Sequence, residues 1–133
     1  MLAGLKYALR LTHGTLRELY KTVSRSPKWS SVRDTYLYRH QTCAACGTRQ
    51  HLNVHHIIPF HLDESKELDE KNLITLCLTR NLCHIKIGHG DDYKAYNPEV
   101  IKDAAYVLAN PDKRKMVEQR VMKFRKYIEG GKP

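Results

Sequence analysis

The 133-residue sequence contains no apolar run approaching the roughly 20 residues that a membrane span requires. Hydrophobic residues make up 41% and charged ones 28%, close to the globular average, so a fully disordered chain is set aside as well. An export signal is also missing: Lys6 and Arg10 interrupt Leu2, Leu5 and Leu9, and no small-residue cleavage site follows a long apolar stretch. This opening segment reads as helix, and the expected location is the cytoplasm. Four cysteines would remain thiols there, and paired thiols in a reducing compartment hold a metal more readily than they form two disulfides. No internal repeat or recognition helix able to read a long DNA site stands out. Acidic residues are scarce, 14 against 23 Lys and Arg for a net charge of +9, which favours polyanionic partners such as nucleic acid.

The positive charge is unevenly placed. Residues 1–42 carry eight basic and two acidic side chains and 112–133 carry eight and three, whereas 43–97 carry six and seven. The flanks are basic and the middle is not. Asp63, Glu64, Glu67, Asp69 and Glu70 crowd together with only Lys66 among them, which predicts a loop facing away from any phosphate backbone.

Length allows one domain with one core. Leu2, Leu5, Leu9, Leu16, Leu19, Tyr20 and Val23 recur at helical steps, and after Pro27 a second helical stripe runs through Trp29, Val32, Tyr36 and Leu37. Val54, Ile57 and Ile58 predict a strand over 50–59, paired through the Gly47-Thr48 turn with the chain before it. The apolar stretch 72–84 should run into a helix ended by Gly88 and Gly90. Beyond Pro98, Val100, Ile101, Ala104, Ala105, Val107 and Leu108 predict one helix, and Val117, Val121, Phe124 and Ile128 another.

Cys43-Ala-Ala-Cys46-Gly is a knuckle: two thiolates two residues apart grip one ion when the turn between them is tight, and Gly47 permits positive φ. Cys77 and Cys83 supply a second pair, completing a four-thiolate set that suits a structural Zn2+. The second pair is spread over a wider interval, so 78–82 must loop out or span a helical turn.

Between and after these pairs stand Val54-His55-His56-Ile57-Ile58-Pro59, Asn72-Leu73-Ile74-Thr75-Leu76-Cys77, Cys83-His84 and Gly88-His89. This order resembles the HNH endonuclease family in its zinc-ribbon form, over about residues 43–90. The resemblance implies an α+β fold with a small ββα-metal (His-Me finger) core and a four-Cys zinc site, flanked by N- and C-terminal α-helices. It implies one nuclease domain across 1–133, with a core at 43–90 and helical arms at 1–42 and 98–129. His56 falls on the family's general base, His55 on a metal ligand and Asn72 on the residue that orients the base or its backbone; in some branches that Asn contacts the metal, and both roles stay open here. His84 and His89 are the further ligand candidates for a catalytic divalent ion (Mg2+, Mn2+, Ni2+ or Zn2+), His89 alternatively being solvated or touching phosphate. On an α-helix, residues five apart are about 140° out of phase, so His89 needs an early turn at Gly88 to join His84. His55 and His56 would face opposite sides of a regular strand unless they sit at its end, a twist or a bulge.

The chemistry fits: a neutral imidazole can accept a proton from water near pH 7. The expected function is metal-dependent endonucleolytic hydrolysis of DNA, nicking or cutting both strands, with a protein partner free to supply specificity. A non-catalytic zinc-stabilised DNA-binding module, or an RNA-directed or toxin-like nuclease, is the alternative. Arg33, Arg39, Lys113, Arg114, Lys115, Arg120, Lys123, Arg125 and Lys126 are the candidates for gripping the nucleic-acid backbone.

Overall fold

The computed structural model describes residues 25–128, so the helical stripe expected over 2–23 and the tail 130–133 lie outside the described residues. Helix α1 (Trp29–Arg39) follows Pro27 as expected. Its Tyr36 is buried with Val54 and Leu73, and Trp29, Val32 and Leu37 pack around them. The Tyr36 hydroxyl donates to the Leu73 carbonyl at 2.9 Å, so burying this phenol strands no polar atom.

Strand β1 (Leu52–His56) pairs antiparallel with β2 (Leu73–Cys77), His55 opposite Ile74 and His56 opposite Leu73. The partner thus follows the strand in sequence, correcting the expectation of pairing through Gly47-Thr48. Residues 43–48 make a tight turn of their own: the Gly47 N–H donates to the Cys43 carbonyl at 2.8 Å, with Gly47 at φ +75°. Every residue of β2 is buried. A strand covered on both faces shows no polar alternation, which is why 72–84 gave no period separating strand from helix.

The loop between the strands contains two 3-10 turns, Glu64–Lys66 and Glu70–Asn72, begun by Asp63 and Asp69, whose carboxylates accept the N–H groups of Ser65 and Lys71. Glu67 turns inward and is 5% exposed, so the acidic loop does not face outward throughout as its composition suggests.

After β2 the chain loops out over 78–82, with Arg80 and Leu82 at positive φ, and enters a π-helical turn, His84–Gly88. Strand β3 (Ala95–Tyr96), helices α2 (Val100–Ala109) and α3 (Arg114–Phe124), and strand β4 (Lys126–Tyr127) complete the described chain, β4 pairing antiparallel with β3. Val100, Ala104, Val107, Val117 and Val121 join Leu76, Ile87 and the cysteines in the main core. Helix α3 ends before Ile128, against expectation: Arg125 turns extended (φ −56°, ψ 147°) so that β4 can reach β3, and Phe124 is left 65% exposed.

Asn97 fastens the π turn to these helices. Its Nδ2 donates to the Ile87 carbonyl at 3.0 Å and to Asp103 Oδ2 at 2.9 Å, and its backbone N–H donates to the Gly88 carbonyl at 2.9 Å. Arg120 closes the far side of the buried Asp103 carboxylate. Replacing Asn97 by Ala leaves two buried acceptors short of a donor, so Asn97→Ala should lower unfolding free energy by about 1–3 kcal/mol. Urea denaturation followed by circular dichroism measures this, and a loss below about 0.5 kcal/mol, the scale of a neutral surface change, would contradict it.

Candidate active site

Two clusters of ligand-type side chains flank the π turn. The sulfurs of Cys43, Cys46, Cys77 and Cys83 lie within 4.8 Å of one another. All four are free thiols, Cys46 and Cys77 being 3.7 Å apart, well beyond a disulfide bond. Cys43 comes from the knuckle turn, Cys77 ends β2 and Cys83 opens the π turn, the outward loop 78–82 making their approach possible. Without a cation these thiols share protons: Cys43 is lowered chiefly by a hydrogen bond from Cys83, and Cys83, the donor of that bond and buried, is raised. Four convergent soft donors suit a structural tetrahedral ion, so the cluster could bind zinc.

Arg114 belongs to this cluster. Its Nη1 donates to Cys83 Sγ at 3.2 Å, its Nε to Glu118 at 2.6 Å and its Nη2 to the Asn81 carbonyl. Arg120 pairs with buried Asp103, Arg125 donates to the Gly90 carbonyl and the Tyr127 hydroxyl, and Arg33 and Arg39 pair with Asp34 and Glu70. These five arginines thus each place at least one donor within the fold, while Arg33, Arg39 and Arg120 keep more than two fifths of their side-chain surface exposed. Lys113, Lys115, Lys123 and Lys126 remain exposed on the C-terminal arm.

The second cluster joins His55, His84 and His89, with one nitrogen of each within 4.8 Å of the others. Their rings meet edge to face at centroid distances of 4.8 to 5.1 Å. The π turn brings His89 back over His84: its wider, i to i+5 winding removes the mismatch that an α-helix imposes on a five-residue spacing. Gly88 makes room for the third ring. A Cβ there would lie 3.1 Å from His55 Cε1 and 3.2 Å from its Nδ1.

The donor atoms fit a cation. His55 Nε2 and His84 Nδ1 are buried without a hydrogen-bond partner, while His89 Nδ1 bonds the Ala95 carbonyl at 2.7 Å and leaves Nε2 free. Burial is the first cause holding all three rings below the ordinary histidine range, His84 at about 4 and His55 well below, with the neighbouring imidazoles adding to the effect for these two. All three are thus neutral near pH 7, the form that ligates metal.

His56 is the last residue of β1 and borders the same cavity, of about 280 Å³, outside the three-histidine cluster. Trp29 packs on its ring at 4.5 Å. Its Nε2 lies 2.9 Å from the Glu67 carbonyl oxygen, which can only accept, so Nε2 carries the proton and Nδ1 the lone pair. Burial lowers its pKa, opposed by that hydrogen bond and assisted by Arg25.

Asn72 is buried and its side chain bonds backbone. Its Oδ1 accepts the Ile58 N–H at 2.8 Å, and its Nδ2 donates to the carbonyls of Ile58 at 3.0 Å and Lys66 at 3.2 Å. These bonds tie the backbone that follows β1 to the acidic loop. Tyr93, 61% exposed with its ring 4.9 Å from His89, and Arg25 also line the cavity; no spacing in the sequence marks Arg25.

The buried imidazoles have a consequence for acid stability. Unfolded histidines take up protons below about pH 6.5, whereas folded His84 resists until about pH 4, so stability is complete above the unfolded value and lost as pH falls through this interval. The melting temperature of protein whose histidine cluster holds no metal should therefore fall between pH 6.5 and 4, and His84→Gln should flatten the slope. An unchanged slope in scanning calorimetry would contradict this.

Residues 43–90, about a third of the chain, match the family model described as HNH endonuclease. The α+β arrangement, with an antiparallel strand pair, a helical turn and a four-cysteine cluster, is consistent with the zinc-type ββα-metal fold of that family. No curated protein and no solved structure gives a significant match. The family match carries a nuclease or DNA-related role at that coarse level.

Proposed function

We propose, from the HNH endonuclease match over residues 43–90, that the chain is a metal-dependent endonuclease hydrolysing phosphodiester bonds in DNA, by nicking or double-strand cutting. The observation that carries this reading is one cavity bordered by three neutral, partner-poor imidazoles and by a fourth imidazole whose tautomer is set by a backbone carbonyl. In this reading His55, His84 and His89 hold a divalent cation, and Cys43, Cys46, Cys77 and Cys83 hold a structural Zn2+. The catalytic cation would supply Lewis-acid stabilisation of charge on the phosphate and the leaving oxygen.

His56 acts as the general base. Its Nδ1 takes a proton from water as the water oxygen bonds to phosphorus; the bond from phosphorus to the 3′ oxygen breaks, and that oxygen takes a proton from solvent. The Glu67 carbonyl keeps the ring in the accepting tautomer, and burial keeps it neutral. Asn72 acts at a distance from the reacting atoms, clamping Ile58 and Lys66 so that the loop after His56 leaves the strand in one direction. The exposed lysines of the C-terminal arm give the backbone grip.

Supercoiled plasmid with Mg2+, Mn2+, Ni2+ or Zn2+ tests the reading. His56→Ala should slow cleavage by about 10²–10⁴ with fold and zinc content unchanged. Equal cleavage by wild type and variant, or none with any metal, would favour a DNA-binding module instead, and RNA substrates in the same assay test the RNA-directed alternative. The cysteine assignment has a separate check. Chelation should release one zinc per chain and unfold the protein cooperatively, since apparent binding energies of about 10–16 kcal/mol in small zinc modules rival the stability of a whole domain. Retention of the folded circular dichroism spectrum after complete zinc removal would count against a structural ion.

A further inference from the structure

Arg25 stands apart from most other described arginines. Those at 33, 39, 114, 120 and 125 donate hydrogen bonds inside the fold, whereas no acceptor among the described residues takes a hydrogen bond from the Arg25 side chain. Its guanidinium is nevertheless held in place. It lies 4.7 Å from the centre of the Phe60 ring and 5.6 Å from that of Trp29, a cation over two aromatic faces. Glu67 Oε1 sits 3.6 Å from Nη1, close enough to attract the charge and too far to use its donors. Glu67 is itself buried and fixed, its Oε2 accepting the Ser26 N–H at 3.2 Å. Among the described residues, Arg25 is also the one with a formal charge at neutral pH that lines the cavity bordered by His55, His56, His84 and His89. Its side chain remains 42% exposed and open to a ligand.

We propose that Arg25 is a catalytic residue: its unspent N–H fork binds the non-bridging oxygens of the scissile phosphodiester and stabilises the negative charge that grows on them as water attacks. The proposal rests on the nuclease reading above and adds no proton transfer to it, since an arginine side chain stays protonated throughout. A planar fork matches two phosphate oxygens, and a cation already positioned before substrate arrives need not reorganise as charge develops. Glu67 is then a positioning residue twice over, its carboxylate steering Arg25 and its carbonyl orienting His56.

The test compares wild type with Arg25→Ala and Arg25→Lys in single-turnover plasmid cleavage, with DNA affinity measured separately in the absence of the catalytic cation. Arg25→Ala should lower the cleavage rate by about 10²–10³, the range seen on deleting one charge-stabilising donor. DNA affinity should change by no more than about threefold, the scale of one phosphate contact among many. Arg25→Lys should recover little of the rate, and added guanidinium ion should partly rescue the Ala variant without accelerating wild type. An Ala variant that cuts at the wild-type rate, or that loses rate only in proportion to affinity and shows no guanidinium rescue, overturns the proposal. If the Ala variant misfolds, Arg25→Gln, which keeps most of the packing stem, replaces it. Wild-type protein inert with every metal would instead bring down the nuclease reading itself, an outcome distinct from active wild type with an indifferent Arg25.

Discussion

Cys83 and His84 are neighbours in the chain that face different ligand clusters, and the π-helical turn beginning there sets the spacing of both. Cys83 completes the sulfur set with the knuckle and the end of β2. One residue later His84 meets His55 from β1, and the wide turn returns His89 to the same place. A shift in this turn would disturb two clusters together. It is accordingly braced from several sides: Gly88 admits the His55 ring beneath it, Asn97 takes up two of its carbonyls and Arg114 bonds the sulfur at its start.

The electrostatics of the cleft follow from burial more than from charge. Its histidines are kept neutral by desolvation and by one another, so the protein prepares donors with lone pairs in place of cations. The formal positive charge sits elsewhere, on exposed lysines of the C-terminal arm and on Arg25 at the cavity. The +9 of the chain therefore divides into charge that is spent internally, such as the buried pairing of Arg120 with Asp103, and charge that remains available to a polyanion. Counting lysines and arginines together hides that division.

Much of the architecture was legible because its signals are local. The stripe Trp29, Val32, Tyr36, Leu37 has helical spacing, and the Cys-Ala-Ala-Cys-Gly turn and the His, Asn and Cys motifs stand in a fixed order. What stayed hidden depends on contacts distant in sequence. Nothing in spacing ties Trp29 or Arg25 to His56, or tells that Glu67 alone of its acidic run turns inward. A strand buried on both faces gave no alternation from which to read β2. The π turn also defeats periodicity, since an α-helical phase puts His84 and His89 apart. Nor does anything local to Asn97, next to the Pro98 that precedes a helix, show that its side chain reaches back to Ile87.

The brace supplied by Asn97 bears on where this protein can be divided. Residues 43–90 carry the recognisable motif, yet the carbonyls of Ile87 and Gly88 find their donors at Asn97, and Asn97 is held by Asp103 and, through it, Arg120. The sulfur cluster likewise leans on Arg114. An excised motif would keep every cluster residue and lose the bonds that hold the π turn and Cys83 in place. The stretch that matches the family model is therefore smaller than the stretch that must fold for the two clusters to converge, and α2 and α3 count as part of the candidate site's scaffold even though neither supplies a residue to either cluster.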